Sequence, residues 1–207
     1  MDWNNLLEHI VKNDRSHAQF LNTLSFMENA GARKISHCED PITVTLLQLK
    51  HAAEEHRHAY YLKKQILKLN NNWCLTYQSS DLLAAVSTKQ YLNQLDSKAC
   101  RFLKKHYQLT SSQLKHAAYL FVTYAIEVRA DALYPIYQEV LTRLQSRVMV
   151  KSIILEEAGH LEEMIAQLDL FSQDWKTVAD IIIALENELH DEWFSALIQE
   201  INYRESV

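Results

Sequence analysis

Glycine and proline are nearly missing from this chain: two of each in 207 residues. Folds built on many tight turns need several times more of both. The shortage excludes turn-rich sandwiches and barrels and predicts an all-α protein. Cysteine is also scarce. Cys38, Cys74 and Cys100 are odd in number and widely spaced, so they form neither a disulfide framework nor a Cys-x-x-Cys metal knuckle; reduced, buried thiols are expected. There is no excess of positive charge. The formal net charge of -5 supplies no field to attract nucleic acid or an anionic bilayer, and neither is expected as a partner. Long apolar runs are missing too, and MDWNNLLEHI has no basic stretch followed by an apolar one. The expectation is a soluble, cytoplasmic protein without membrane spans.

What is present is apolar content, 48% of residues, enough for one domain over residues 1–207 with a sizeable core. WNNLLEHIVK (3–12) predicts a short amphipathic helix. Asp14 is placed to cap a longer one to about His37, with Phe20, Leu21, Leu24, Met27, Ala32 and Ile35 inward and Glu28 on the same side. Asp40-Pro41 reads as the start of a second long helix reaching about Leu69. NNNWCLTYQSS (70–80) is the most loop-like stretch, followed by crossover helices over about 81–106. Thr110-x-x-Gln113 suits a capping box for a third long helix to about Ser146, kinked by Pro135. A fourth covers about 149–171, and a last helix follows Asp174 to about Tyr203.

The most informative feature is a repeat. LKHAAEEHRHAYYL (49–62) contains Glu54-Glu55-x-x-His58, and LEEAGHLEEM (155–164) contains Glu156-Glu157-x-x-His160. Residues three apart on a helix share a face. Each copy follows a Glu-bearing apolar helix, with Glu28 and Glu127 at nearly the same offset. The order Glu, Glu-x-x-His, Glu, Glu-x-x-His on four successive helices implies two helix hairpins related by an approximate two-fold axis.

Four carboxylates and two imidazoles converging in a core must be protonated, paired or bound to cations, because isolated buried charge is very costly. Six oxygen and imidazole ligands suit two iron or manganese ions better than thiolate-favouring structural zinc. One Glu from each of two helices plus Glu-x-x-His from the other two is the donor pattern of di-iron bundles.

In these residues, over about 14–171, the chain resembles the ferritin-like superfamily of di-iron carboxylate proteins. The doubled Glu-Glu-x-x-His is similar to those of acyl-carrier-protein desaturases, rubrerythrins and tRNA hydroxylases. The resemblance implies a ferritin-like four-helix bundle with a long crossover between the second and third long helices, plus extra helices. It implies metal ligands Glu28, Glu55, His58, Glu127, Glu157 and His160, with Glu55 and Glu157 bridging. It implies two iron ions, or manganese, and an oxidase or oxygenase that uses dioxygen, a small organic substrate and electrons from a reductase. The chain lacks rubrerythrin's cysteine-rich iron centre and is shorter than the desaturases. A protective protein oxidising ferrous ion or using peroxide would use the same ligands. A metal-free helical interaction module, with the acids in a buried polar network, is the reading from a different class.

Around these residues, Asp131 lies one turn after Glu127 and could orient a ligating imidazole; a plain salt bridge to Arg129 or Arg57 is the alternative. Glu54 and Glu156 sit one residue off the inner face, which suits interhelical pairing rather than ligation. His51 either lines the site or is a core histidine. Gly31 and Gly159 either open space or allow close packing. Tyr60, Tyr61, Tyr119 and Tyr124 are near in sequence, chiefly as core. Glu186, Glu188, His190 and Asp191 are spaced like a third site but have no counterpart, and read as an amphipathic helix packing on the bundle or on another subunit, as in a homodimer.

Overall fold

The computed structural model describes residues 1–206, and among them there are seven α-helices, one 3-10 turn and no strand. Helix α1 (Trp3–Lys12) starts where Asp2 accepts the Asn5 N–H, and it buries Leu6, Leu7, Ile10 and Val11. Helix α2 (Asp14–Cys38) is capped by Asn13, whose side chain accepts the Ser16 N–H, so Asp14 is its first residue and not its cap. Helix α3 (Leu46–Leu67) begins later than Asp40-Pro41 suggests. Asp40 instead accepts the N–H groups of Ile42 and Thr43 in a local turn, and Thr45 caps the helix by accepting the Gln48 N–H. An aspartate that satisfies the turn's donors removes the need to start a helix there.

A 3-10 turn (Ser79–Asp81) leads into α4 (Ala85–Tyr107), a single crossover helix. Helix α5 (Ser111–Arg143) has the capping box expected at Thr110 and Gln113 and continues past Pro135. Helices α6 (Lys151–Phe171) and α7 (Trp175–Ser206) complete the chain.

Helices α2 and α3 form one antiparallel pair: Ser25 donates to the Ala59 carbonyl near one end and Gln48 to the Ile35 carbonyl near the other. Helices α5 and α6 form a second pair. The two pairs meet across α3 and α6, where His58 faces Glu156, Glu54 faces His160 and His51 faces Glu163. One number falls as the other rises, so these two helices also run antiparallel. The crossover α4 packs on α5 and α7, and α1 lies against α5 and α2. One hydrophobic cluster takes residues from all seven helices, including Leu6, Phe20, Leu62, Leu95, Phe121, Met164 and Trp193. Among the described residues no helix is long and apolar enough to cross a membrane.

Candidate metal centre

The inward stripe of each long helix carries its acid to the same depth. Glu55, His58, Glu127, Glu157 and His160 are all buried, and Glu28 nearly so. Ligand-type atoms of Glu28, Glu55, His58 and Glu157 lie within 4.8 Å of one another, and so do those of Glu55, Glu127, Glu157 and His160. Glu55 and Glu157 belong to both groups. The two imidazole rings stand 5.9 Å apart, centre to centre.

Both rings turn Nδ1 inward. His160 Nδ1 is 3.3 Å from Glu157 and 3.6 Å from Glu127. His58 Nδ1 is 3.0 Å from Glu157 and 3.9 Å from Glu28, yet it has no aligned hydrogen-bond partner. Both rings hold Nε2 outward through the opposite half of the repeat. His58 Nε2–H donates to Glu156 at 2.9 Å, and His160 Nε2–H donates to Glu54 at 2.7 Å. Arg57 ion-pairs with Glu156, and Lys50 lies 3.9 Å from Glu54. Beyond them, Tyr119 donates to His51 Nδ1 at 2.8 Å, and His51 Nε2–H donates to Glu163 at 2.8 Å.

Protons manage the crowding of carboxylates. Burial, then the charge of Glu28, holds the Glu55 carboxyl well above the ordinary range. Burial and a hydrogen bond shared with Glu157 do the same to Glu127. Burial alone would raise Glu157 as well, but Glu127 and the two imidazoles hold it well below the usual range. The proton of that pair therefore sits on Glu127. Burial opposes charge on His160, yet hydrogen bonds to Glu127 and Glu157 push it up to about 11.

Asp131 does not meet its expectation. It is exposed and makes no hydrogen bond or ion pair among the described residues. Beyond Glu127 the buried stripe of α5 follows Tyr134 and Leu141 in seven-residue steps, and four residues on a helix is about 40° off that line. The imidazoles' outer partners are Glu54 and Glu156 instead. Of the candidate salt-bridge partners, Arg57 holds Glu156 and Arg129 holds Glu186. The C-terminal acids do not converge. Glu186 accepts from Arg129 at 2.9 and 2.8 Å and from Tyr91 at 2.5 Å, while Glu188 and Asp191 are exposed. His190 is buried against Trp3 and Phe194 with neither ring nitrogen hydrogen-bonded.

Two features are absent from the sequence reading. Tyr134 donates a hydrogen bond to Glu28; its place seven residues after Glu127 is the signal that would have found it. A cavity of about 430 Å³ lies between α2, α4 and α5 and reaches Glu28, Glu55, Glu127 and Glu157. Its walls include Leu24, Ile35, Leu95, Val122, Tyr91 and Trp193. Gly31 is part of this wall, and a Cβ there would stand 3.6 Å from Glu55 Oε2. Gly159 faces open space instead. The cavity joins helices far apart in sequence, so no local pattern announces it.

No family model, curated protein or solved structure matches this chain. The class that the fold and site define is an all-helical protein with a buried cluster of carboxylates and histidines able to hold a metal.

Proposed function

We propose that the chain is a ferritin-like, non-haem di-iron oxidase or oxygenase that oxidises a small organic substrate with dioxygen. Glu28, Glu55, His58 and Glu157 would hold one ion, and Glu55, Glu127, Glu157 and His160 the other, with Glu55 and Glu157 shared. The donor set fits: carboxylate oxygens and imidazole nitrogens suit iron or manganese. The inward-facing Nδ1 atoms of His58 and His160, 3.0 and 3.3 Å from Glu157, support the same reading, because they turn both imidazole donors toward the shared carboxylates.

The observation that carries the oxidase reading over a protective iron- or peroxide-oxidising one is the cavity. It opens on the carboxylate side of the cluster and has mainly apolar walls, as expected where a substrate must lie against the reacting centre with water excluded. Bound iron would supply the redox chemistry. Overall, one oxygen atom would enter a substrate C–H bond and the other would leave as water, with two electrons from a separate reductase and two protons. Glu54 and Glu156 fix the imidazoles, Tyr134 orients Glu28, and the apolar walls of α2, α4 and α5 position the substrate.

The test is oxygen consumption by the reduced, iron-loaded protein. An oxidase should consume dioxygen faster when small apolar molecules fill the cavity, and should return them oxidised. Rapid turnover of ferrous ion or peroxide, indifferent to every organic additive, would favour the protective reading and overturn this one.

A further inference from the structure

The cavity also has a chemical polarity. Three cations contribute to its lining: Arg33, Lys34 and Arg129. Two are already committed. Lys34 Nζ is 2.5 Å from Asp96, and Arg129 makes a two-pronged pair with Glu186 and a further bond to Asn187. Arg33 is exposed and has no ion pair or hydrogen bond among the described residues. It stands on α2 two residues after Gly31, where a Cβ would stand 3.6 Å from Glu55 Oε2. Exposed Asn93 on α4 also contributes to the lining, so the opening lies between α2 and α4.

The remaining acids of the lining are Asp96, paired with Lys34, and the four buried glutamates of the cluster. An uncompensated guanidinium therefore marks the outer end of an apolar chamber whose inner end holds the acids. Four lining residues are aromatic: Tyr91, which stacks on Trp193 with ring centres 5.9 Å apart, Tyr119 and Tyr134. The volume is at the small end of ligand sites, which run from about 300 to 1,000 Å³.

We propose that the cavity binds a small apolar or aryl-bearing monoacid, its carboxylate held by Arg33 and its apolar body running past Gly31 toward Glu55. A planar guanidinium matches a carboxylate two-pronged, and an anion held at the mouth stays solvated. An amine has no counter-charge at the mouth, and an alcohol leaves Arg33 unanswered. This assignment rests on the oxidase reading for its chemistry, but its binding geometry can be read without turnover.

The experiment is calorimetric titration of the full chain, loaded with redox-inert zinc(II), with 4-phenylbutyrate, 4-phenylbutanol and 4-phenylbutylamine. The acid should bind about tenfold tighter than the other two, a difference typical of a charge-assisted hydrogen bond. Arg33→Gln, a change at an exposed position, should remove that preference and leave the alcohol unaffected. Val122→Phe, a change in the cavity wall outside the metal cluster, should weaken the acid and the alcohol together while bound metal stays the same. Equal binding of acid and alcohol, binding of none of the three, or a preference for the amine would overturn the proposal. So would an acid preference that survives Arg33→Gln, which would place the carboxylate on the metal. Acid preference in protein that takes up no metal would sink the oxidase reading and leave this assignment standing; metal without acid preference would do the reverse.

Discussion

Glu54 on α3 accepts the Nε2–H of His160 on α6 at 2.7 Å, and Glu156 on α6 returns the same bond to His58 on α3 at 2.9 Å. Each half of the repeat thus fixes the imidazole of the other. With Nε2 committed as a donor, Nδ1 is the nitrogen left to face the carboxylates.

Glu54→Ala and Glu156→Ala should therefore weaken metal binding without abolishing it. Removing such an outer partner typically lowers affinity by about 10- to 100-fold. Competition against a chelator of known strength measures this directly. Unchanged affinity in both variants would show that the reciprocal pairs serve packing alone.

Metal uptake should release protons and tighten as pH rises. In the metal-free protein Glu55 and Glu127 hold protons because burial and neighbouring carboxylates raise them, and His160 holds one up to about 11. Ligation requires these protons to leave. The same groups make the metal-free fold bind more protons than the unfolded chain above their ordinary pKa values. Each such proton lowers stability by about 1.4 kcal/mol per pH unit as pH rises through that window. Thermal melts from pH 7 to 9 should fall more steeply for metal-free than for metal-loaded protein, and proton release should register in weakly buffered titrations. Identical melting profiles would contradict this.

Acid works through a different residue. His17 is buried, its Nε2 lies 2.7 Å from the Tyr137 hydroxyl, and burial pushes its pKa down to about 4. Between pH 6.5 and 4 the unfolded chain binds this proton and the folded one does not, so stability is lost as pH falls. The full effect is about 3 kcal/mol. His17→Gln should gain stability relative to wild type between pH 6.5 and 4.5, by about 2 kcal/mol in denaturant titrations at the two pH values.

On α7, Glu186 is buried between Arg129 and Tyr91. Glu186→Ala would leave the half-buried guanidinium and the phenol unanswered, a loss of about 3–5 kcal/mol for a broken buried pair. Glu188→Ala, at an exposed position in the same acidic run, should change stability by less than about 0.5 kcal/mol. Chemical denaturation of the two variants checks the contrast.

How much was legible follows from how local each signal is. The helices were readable from apolar periodicity and sparse glycine and proline; α1 and the Thr110–Gln113 capping box stand where the pattern puts them. The convergence of Glu55, His58, Glu157 and His160 was readable because the spacing repeats. The start of α3 was not, because Asp40 satisfies a turn as readily as a helix end. Asp131 misled for a similar reason: one helical turn from Glu127 fixes an approximate direction, and a 40° offset separates core from solvent there. The cavity and the free charge of Arg33 depend on three helices meeting, which no single stretch encodes.

The central claim is that the buried cluster holds two metal ions through shared glutamates. Elemental analysis of protein purified from iron-supplied cells, alongside Glu55→Ala, Glu157→Ala, Glu28→Ala and Glu127→Ala, tests it most directly. We expect about two iron or manganese ions per chain, nearly none in the Glu55 and Glu157 variants, and about one in the Glu28 and Glu127 variants, the counts that sharing of Glu55 and Glu157 requires. A well-folded wild-type protein without metal, or one whose metal content ignores all four substitutions, would contradict the account.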